Sequence, residues 1–140
     1  MKFEFRAWDL KNSVMLDHQQ IMEKQYPQHI KRDPYHYDVF NDMSILINMK
    51  SNFEDVDGRP IFQGDVIETR DSKAQRFCYE VIFDEETSAF MALPFMKGRY
   101  GWTVGYTTTT NPQPLKDIVE LGAYIIGNKY QNQELYKRGV

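Results

Sequence analysis

Asp57-Gly58, set between short apolar runs, is the strongest turn signal in the chain and the feature that most constrains its fold. Glycine reaches positive φ without steric cost, so an Asp-Gly step between extended segments reads as a tight reversal. The segments around it keep that pattern. Ile61-Phe62 and Val66-Ile67 flank Gln63-Gly64-Asp65, where Gly64 marks a bulge or bend in an otherwise extended stretch. Phe77 to Phe83 and Ala89 to Leu93 are apolar runs split by Asp84-Glu85-Glu86-Thr87-Ser88, which predicts a hairpin with a charged tip. Near the start, Phe3, Phe5 and Ala7 alternate with Lys2, Glu4 and Arg6, and Lys11-Asn12 separates them from Val14-Met15-Leu16. That period of two followed by a turn predicts an opening β-hairpin. Ser44 to Met49 reads as a buried strand, and Trp102 to Tyr106 and Ala123 to Ile126 as further strands. Many short strands with turn signals define a mainly β chain, a small barrel or sandwich with additional hairpins.

Helical signals are few and short. Asp17 is followed three residues later by Gln20, a capping box that predicts one or two helical turns from Asp17 to Lys24, ended by Pro27. Tyr26 to Tyr37 holds Pro27, Pro34, His29 and His36 with few aliphatic residues, and reads as an irregular surface excursion. Leu115, Ile118 and Val119 have helical spacing behind Pro114, with Gly122 placed to cap, yet they run straight into the strand-like Ala123 to Ile126, which leaves helix and strand both open there. Asn132 before Glu134-Leu135-Tyr136 predicts a capped final turn.

The 140 residues fit a single domain spanning 1–140, and 41% hydrophobic and 14% aromatic residues argue for a folded core over disorder. Apolar runs such as Val81-Ile82-Phe83 fall far short of the roughly 20 residues of a membrane helix, and the charged opening Met1 to Arg6 lacks the features of a secretory signal. A cytoplasmic protein without a membrane partner is expected. Cys78 stands alone between Phe77 and Tyr79, so it reads as a small buried residue with no disulfide to make. The net charge of −3 gives no overall attraction to nucleic acid, although it permits a local basic patch.

Residues with chemistry to offer are scattered. Asp55, Asp57 and Gly58 resemble part of a calcium loop, but Arg59 occupies the third acidic position and Val66 the place of its closing Glu, so a turn is the better reading. His18, His29 and His36 have no zinc spacing and read as solvated loop histidines. Neither a GxSxG elbow, a Walker loop nor a GxGxxG occurs. A hydrolase or nuclease would need Asp55, Asp57 and Asp65 to cluster around a cation. No catalytic residue, metal ligand or cofactor is therefore assigned, and a non-enzymatic protein is expected. The one suggestive surface feature is Lys97-Gly98-Arg99-Tyr100-Gly101-Trp102 with Tyr106, to which Arg70, Lys73 and Arg76 could add from another hairpin. Cationic and aromatic groups together neutralise phosphate and stack bases, or anchor a protein interface.

Three segments, in order, resemble the YopX family of small phage and prophage proteins. Phe5-Arg-Ala-Trp-Asp9 is close to its FRAWD opening. Asp55-Val-Asp-Gly58, Ile61-Phe-Gln-Gly-Asp65 and Val66-Ile67 are close to its D-x-N-G-x-x-I-Y-E-G-D-I-V pattern. Ile125-Ile-Gly-Asn128, Tyr130 and Asn132-Gln-Glu-Leu135 are close to its V-I-G-N-I-Y-E-N-P-E-L-L ending. Ser51-Asn52-Phe53 departs from the usual T-G-L, Lys129 from an apolar residue and Gln133 from Pro; residues 17–42 match nothing and form a variable segment. The resemblance implies an SH3-like barrel and a phage-associated role of unestablished biochemistry. Carried to Trp8, Gly58, Gly64, Asp65, Gly127 and Asn128, it implies roles in the fold, with Asp65 accepting main-chain N–H bonds at the bend.

These readings converge on an accessory protein of the bacterial host cytoplasm that acts by binding a host or phage protein, or a second copy of itself. The alternative is a nucleic-acid-binding module. In either case Lys97, Arg99, Tyr100, Trp102 and Tyr106 are the candidate contact residues.

Overall fold

Among the described residues, the extended segments read from the sequence form strands. A computed structural model describes residues 4–25, 38–70, 76–98, 101–104 and 112–136, and the chain divides into two compact units, Met1–Lys50 and Ser51–Val140.

In the first unit the opening hairpin forms from β1 (Phe5–Asp9) and β2 (Val14–Leu16), with Ala7 opposite Leu16 and Asp9 opposite Val14. β3 (Ile45–Glu54) is longer than the apolar run that announces it, and lies antiparallel to β1 with Ala7 opposite Ile47. The turn between β1 and β2 hangs on Asp9, which is buried and accepts from the N–H groups of Lys11 and Asn12 and from Asn12 Nδ2. Helix α1 (His18–Gln25) starts at a capping box that closes in both directions. Gln20 N–H donates to Asp17 Oδ1 at 2.8 Å and Asp17 N–H to Gln20 Oε1 at 2.9 Å, an arrangement that stabilises a helix start by about 1 kcal/mol. The helix buries Ile21 against Ala7, Leu16, Val39 and Ile45.

One expectation needs correction here. His18 is not a solvated loop residue: it opens α1, its ring stacks on Phe5 at 6.0 Å between centroids, and its Nδ1 accepts from Phe5 N–H. The reason is the hairpin register, which leaves Phe5 N–H without a β2 partner beside the start of the helix. Within the variable segment, residues 17–25 and 38–42 are ordered into α1 and a short 3₁₀ turn at Val39–Asn41, whose Val39 N–H donates to the side chain of Gln25. The excursion around Tyr26 to Tyr37, with His29 and His36, lies outside the described residues.

The second unit is built on an antiparallel sheet. β4 (Pro60–Phe62) neighbours the far end of β3, and the chain then turns at Gln63-Gly64 into β5 (Asp65–Arg70), which joins a different sheet. The bend foreseen at Gly64 is therefore a full change of sheet. Gly58 and Gly64 have φ of +79° and +90°, a region that costs an L side chain strain. β6 (Arg76–Asp84) and β7 (Ala89–Gly98) form the expected hairpin, extended at its open end by β8 (Gly101–Val104). A two-residue strand, β9 (Gln113–Pro114), pairs with β7 and leads directly into α2 (Leu115–Glu120), which resolves the open choice at Leu115 in favour of helix. β10 (Tyr124–Asn128) returns to the sheet beside β5, giving the order β10-β5-β6-β7-β8.

Ile67, Tyr79, Val81 and Ala92 bury one face of this sheet beneath Leu115 and Ile118 of α2, and Ile61 of β4 joins the same cluster. Val66 and Phe95 bury the other with Cys78, Leu93, Ile126 and Leu135; Cys78 is half-buried in that cluster. The 3₁₀ turn Gln133–Tyr136 forms where a final turn was expected, with Leu135 N–H donating to the carbonyl of Asn132. Asn132 Oδ1 faces backwards to accept from Asn128 N–H, in space that a Cβ on Gly127 would occupy. Among the described residues no helix is long and apolar enough to cross a membrane.

Ile67 is fully buried in the centre of the main cluster. Ile67→Ala should cost about 3 kcal/mol of unfolding free energy, within the ~2–5 kcal/mol range for such truncations, read as a lower urea midpoint at unchanged slope. A loss below about 1 kcal/mol would show that this cluster is not the core.

Candidate functional site

Buried carboxylates are the most expensive groups to place in a small β protein, so what each one contacts shows what it is for. Asp55 has a fully buried carboxylate. Its Oδ1 accepts from Asp57 N–H at 3.0 Å and Arg59 N–H at 2.9 Å, which closes the Asp57-Gly58 turn. Its Oδ2 accepts from Arg59 Nε at 3.1 Å and from Ile125 N–H at 3.2 Å. Arg59 in turn donates through Nη2 to the carbonyl of Ile125. Burial alone would push the Asp55 pKa up, but the three main-chain donors and the Arg59 charge outweigh it and hold the group below its ordinary value.

Asp65 Oδ2 accepts from Phe62 N–H at 2.8 Å, the main-chain bond expected at the bend. Asn128 Oδ1 accepts from the N–H groups of Tyr130 and Gln131, and its Nδ2 donates to Gln131. Trp8 sits half-buried in β1, opposite Met15 and Leu46. Asp55 and Asp57 therefore belong to one turn and Asp65 to another bend, and the described residues contain no group of three His, Cys, Asp or Glu side chains arranged to hold a metal ion.

Glu68 is different. It lies on β5, almost completely buried, and binds two guanidinium groups rather than main chain. Arg76 meets it in a fork, Nε to Oε1 at 2.9 Å and Nη2 to Oε2 at 2.7 Å, while Arg70 Nε reaches Oε1 at 3.1 Å. The Arg76 hydrogen bonds are the largest influence on Glu68 and, with those of Arg70, keep its pKa low against the opposing effect of burial. Arg70 and Arg76 are themselves register partners at the end of the β5–β6 hairpin, and their side chains are 58% and 50% exposed. Like charges placed opposite each other repel, and a shared carboxylate offsets that repulsion.

Of the expected contact residues, Lys97 and Trp102 are paired in register across β7 and β8. Arg99, Tyr100 and Tyr106 lie outside the described residues, as does Lys73. Strand direction puts the Lys97–Trp102 pair at the same end of the sheet as Arg70 and Arg76, because β5 to β8 are successively antiparallel. The opposite end carries the β6–β7 turn with Asp84, Glu85 and Glu86, where Asp84 accepts from Glu86 N–H and Thr87 Oγ1. Glu68 is a structurally decisive residue that sequence reasoning passes over, while Asp9 is read only as part of a motif and Asn132 only as a cap and motif residue. Asp9 with Asn12 has the spacing of a side-chain-closed turn, and Glu68 with Arg70 has the i, i+2 spacing of one strand face.

Comparison with known proteins follows the motifs. The family described as YopX protein matches residues 4–137. This chain belongs to the YopX family. Among solved structures, protein EF1440 from Enterococcus faecalis is similar, with 20% sequence identity over 97% of this chain and 99% of that one, and a TM-score of 0.54. That likeness shows a common fold, mainly β and consistent with the small barrel expected from the YopX motifs. No curated protein matches the chain.

Asp55→Asn puts an amide N–H₂ where Arg59 and Ile125 both donate, and should cost about 1–3 kcal/mol at neutral pH. A carboxylate whose pKa is lower folded than unfolded stabilises fully above the unfolded value and loses that contribution as pH falls through the folded one. The stability gap between wild type and variant should therefore be widest above the ordinary Asp value of 3.8 and shrink below it, measured by urea unfolding at stepped pH. A gap that stays constant on acidification contradicts the assignment.

Proposed function

We propose that this YopX protein is a non-enzymatic accessory protein of phage or prophage origin, working in the bacterial cytoplasm on an SH3-like barrel by binding another protein. The observation that supports this most is how its motif residues are employed. Asp9, Asp55, Asp65 and Asn128 each turn their acceptor oxygens onto main-chain N–H groups. Groups held in that way build turns, and the surfaces between the turns are left to do the work.

One such surface is apolar. At the end of the first unit's sheet, Leu10 donates its N–H to Ser44, and Val14 is the register partner of Asp9. Leu10, Val14 and Met43 are all exposed there, Met43 to 91%. Exposed apolar groups gathered at one place mark contact with another protein, either a host or phage component or a second copy of this chain. A second reading, binding of nucleic acid around Lys97, Arg99, Tyr100, Trp102 and Tyr106, draws support from the basic end of the larger sheet.

The test is affinity capture of tagged protein from host lysate at physiological salt, with and without nuclease, beside the double variant Leu10→Ser/Met43→Ser. A discrete partner identified by mass spectrometry, retained after nuclease and weakened about tenfold or more by the variant, is the expected outcome. Capture of no discrete protein once nuclease has removed nucleic acid would overturn the protein-binding reading, and a partner indifferent to the variant would overturn its assignment to the apolar surface.

A further inference from the structure

We propose that the Arg70–Arg76 end of the second unit's sheet is a binding site for the phosphate backbone of single-stranded nucleic acid, with Tyr124 as its stacking platform. The proposal stands apart from the apolar surface of the first unit, so either can fail alone.

Glu68 carries one negative charge and two guanidinium groups converge on it, so the three groups together are net cationic. The contacts use Nε of Arg70 and Nε and Nη2 of Arg76, and both side chains are half exposed. Long cationic side chains normally lose rotamer freedom on meeting an anion; here a buried carboxylate has already ordered them. The guanidinium fork matches phosphate geometry, and its charge is permanent.

Tyr124 supplies the aromatic part. It is the register partner of Glu68 on β10, and directly opposed residues share a face, so it lies on the same face of the sheet as Glu68 and as Arg70 two residues further along β5. It is 46% exposed although its neighbour Ala123 is buried. Aromatic faces bind unstacked bases with little regard to sequence, which favours single strands over a duplex and distinguishes this site from one made for acidic peptides. Backbone register adds Lys97 and Trp102 at the same end on β7 and β8. The acidic Asp84–Glu86 turn lies at the far end, so the field along the sheet draws a polyanion to one end despite a net charge of −3.

Fluorescence anisotropy with fluorescein-labelled, mixed-sequence single-stranded DNA tests this directly, using the intact chain over a salt series. Expected is saturable binding whose log–log salt slope is at least as steep as about −1.4, since each neutralised phosphate contributes about −0.7. Arg70→Gln should weaken it about fivefold and flatten the slope by about 0.7, while Tyr124→Ala should weaken it about tenfold with the slope unchanged. Arg76→Gln would strip Glu68 of its main partner and threaten folding, so Arg70→Gln and Tyr124→Ala carry the test, each checked by an unchanged thermal midpoint. Absence of saturable binding at low salt, or binding that neither variant alters, would overturn the proposal. So would equal competition by poly-glutamate, which would reassign the surface to an acidic protein, or preference for the duplex.

Discussion

The buried carboxylate of Asp55 is the contact on which the larger sheet depends. β10 is the terminal strand in the order β10-β5-β6-β7-β8, and the outward N–H and C=O of its second residue, Ile125, need partners. An exposed edge of that kind invites pairing with another chain. Asp55 accepts the N–H, Arg59 donates to the C=O, and Val56 N–H meets the carbonyl of Ala123. The turn at residues 55–59 thus takes the place of a further strand, using side chains where a strand would use its backbone. The same carboxylate shapes that turn through Asp57 and Arg59 N–H, so the turn and the edge it covers form together.

That arrangement explains why the recognisable motifs of this chain are made of Asp, Asn and Gly. A small barrel buries little surface and changes strand direction often, so its main-chain groups at the turns must be satisfied by short polar side chains. Asp9 does this between β1 and β2, Asp65 at the step from β4 to β5, and Asn128 after β10. Each is buried, and each is engaged with N–H groups within three residues of itself. Motif identity across the chain thereby reports a common path of the backbone. Chemistry peculiar to this protein belongs on the surfaces the turns hold in place.

Most of the architecture was legible in the residues for physical reasons. Apolar alternation announced β1, β6 and β7, the Asp17–Gln20 pair announced α1, and Gly64 announced a change of direction. What could not be read locally depended on distant partners. β3 outruns its apolar stretch because its polar continuation, Lys50 to Glu54, is held by pairing rather than by pattern. His18 sits on Phe5 only because the hairpin register carries that ring to the helix start. The helix at Leu115 competes with an adjoining strand, and burial of Leu115 and Ile118 beneath the sheet decides it. The candidate site divides in the same way: a basic-aromatic loop is visible from composition, whereas the Glu68–Arg76 fork spans eight residues and two strands and needs the register to be seen.

Glu68 also separates two kinds of buried charge in one small sheet. Asp55 and Glu68 lie on neighbouring parts of the same unit, and both are ionised against the cost of burial. Three of the four donors to Asp55 atoms are main-chain N–H groups, so its charge is spent inside the fold. Among the described residues Glu68 receives only guanidinium donors, from side chains that are half exposed, so its charge fixes two cations at the surface. Replacing such an ion cluster with apolar residues commonly leaves stability unchanged or raises it. Stability is thus a weak reason for this cluster, and a surface role for the ordered arginines is the stronger one. The acidic turn with Asp84 lies at the other end of β6 and β7, away from these arginines.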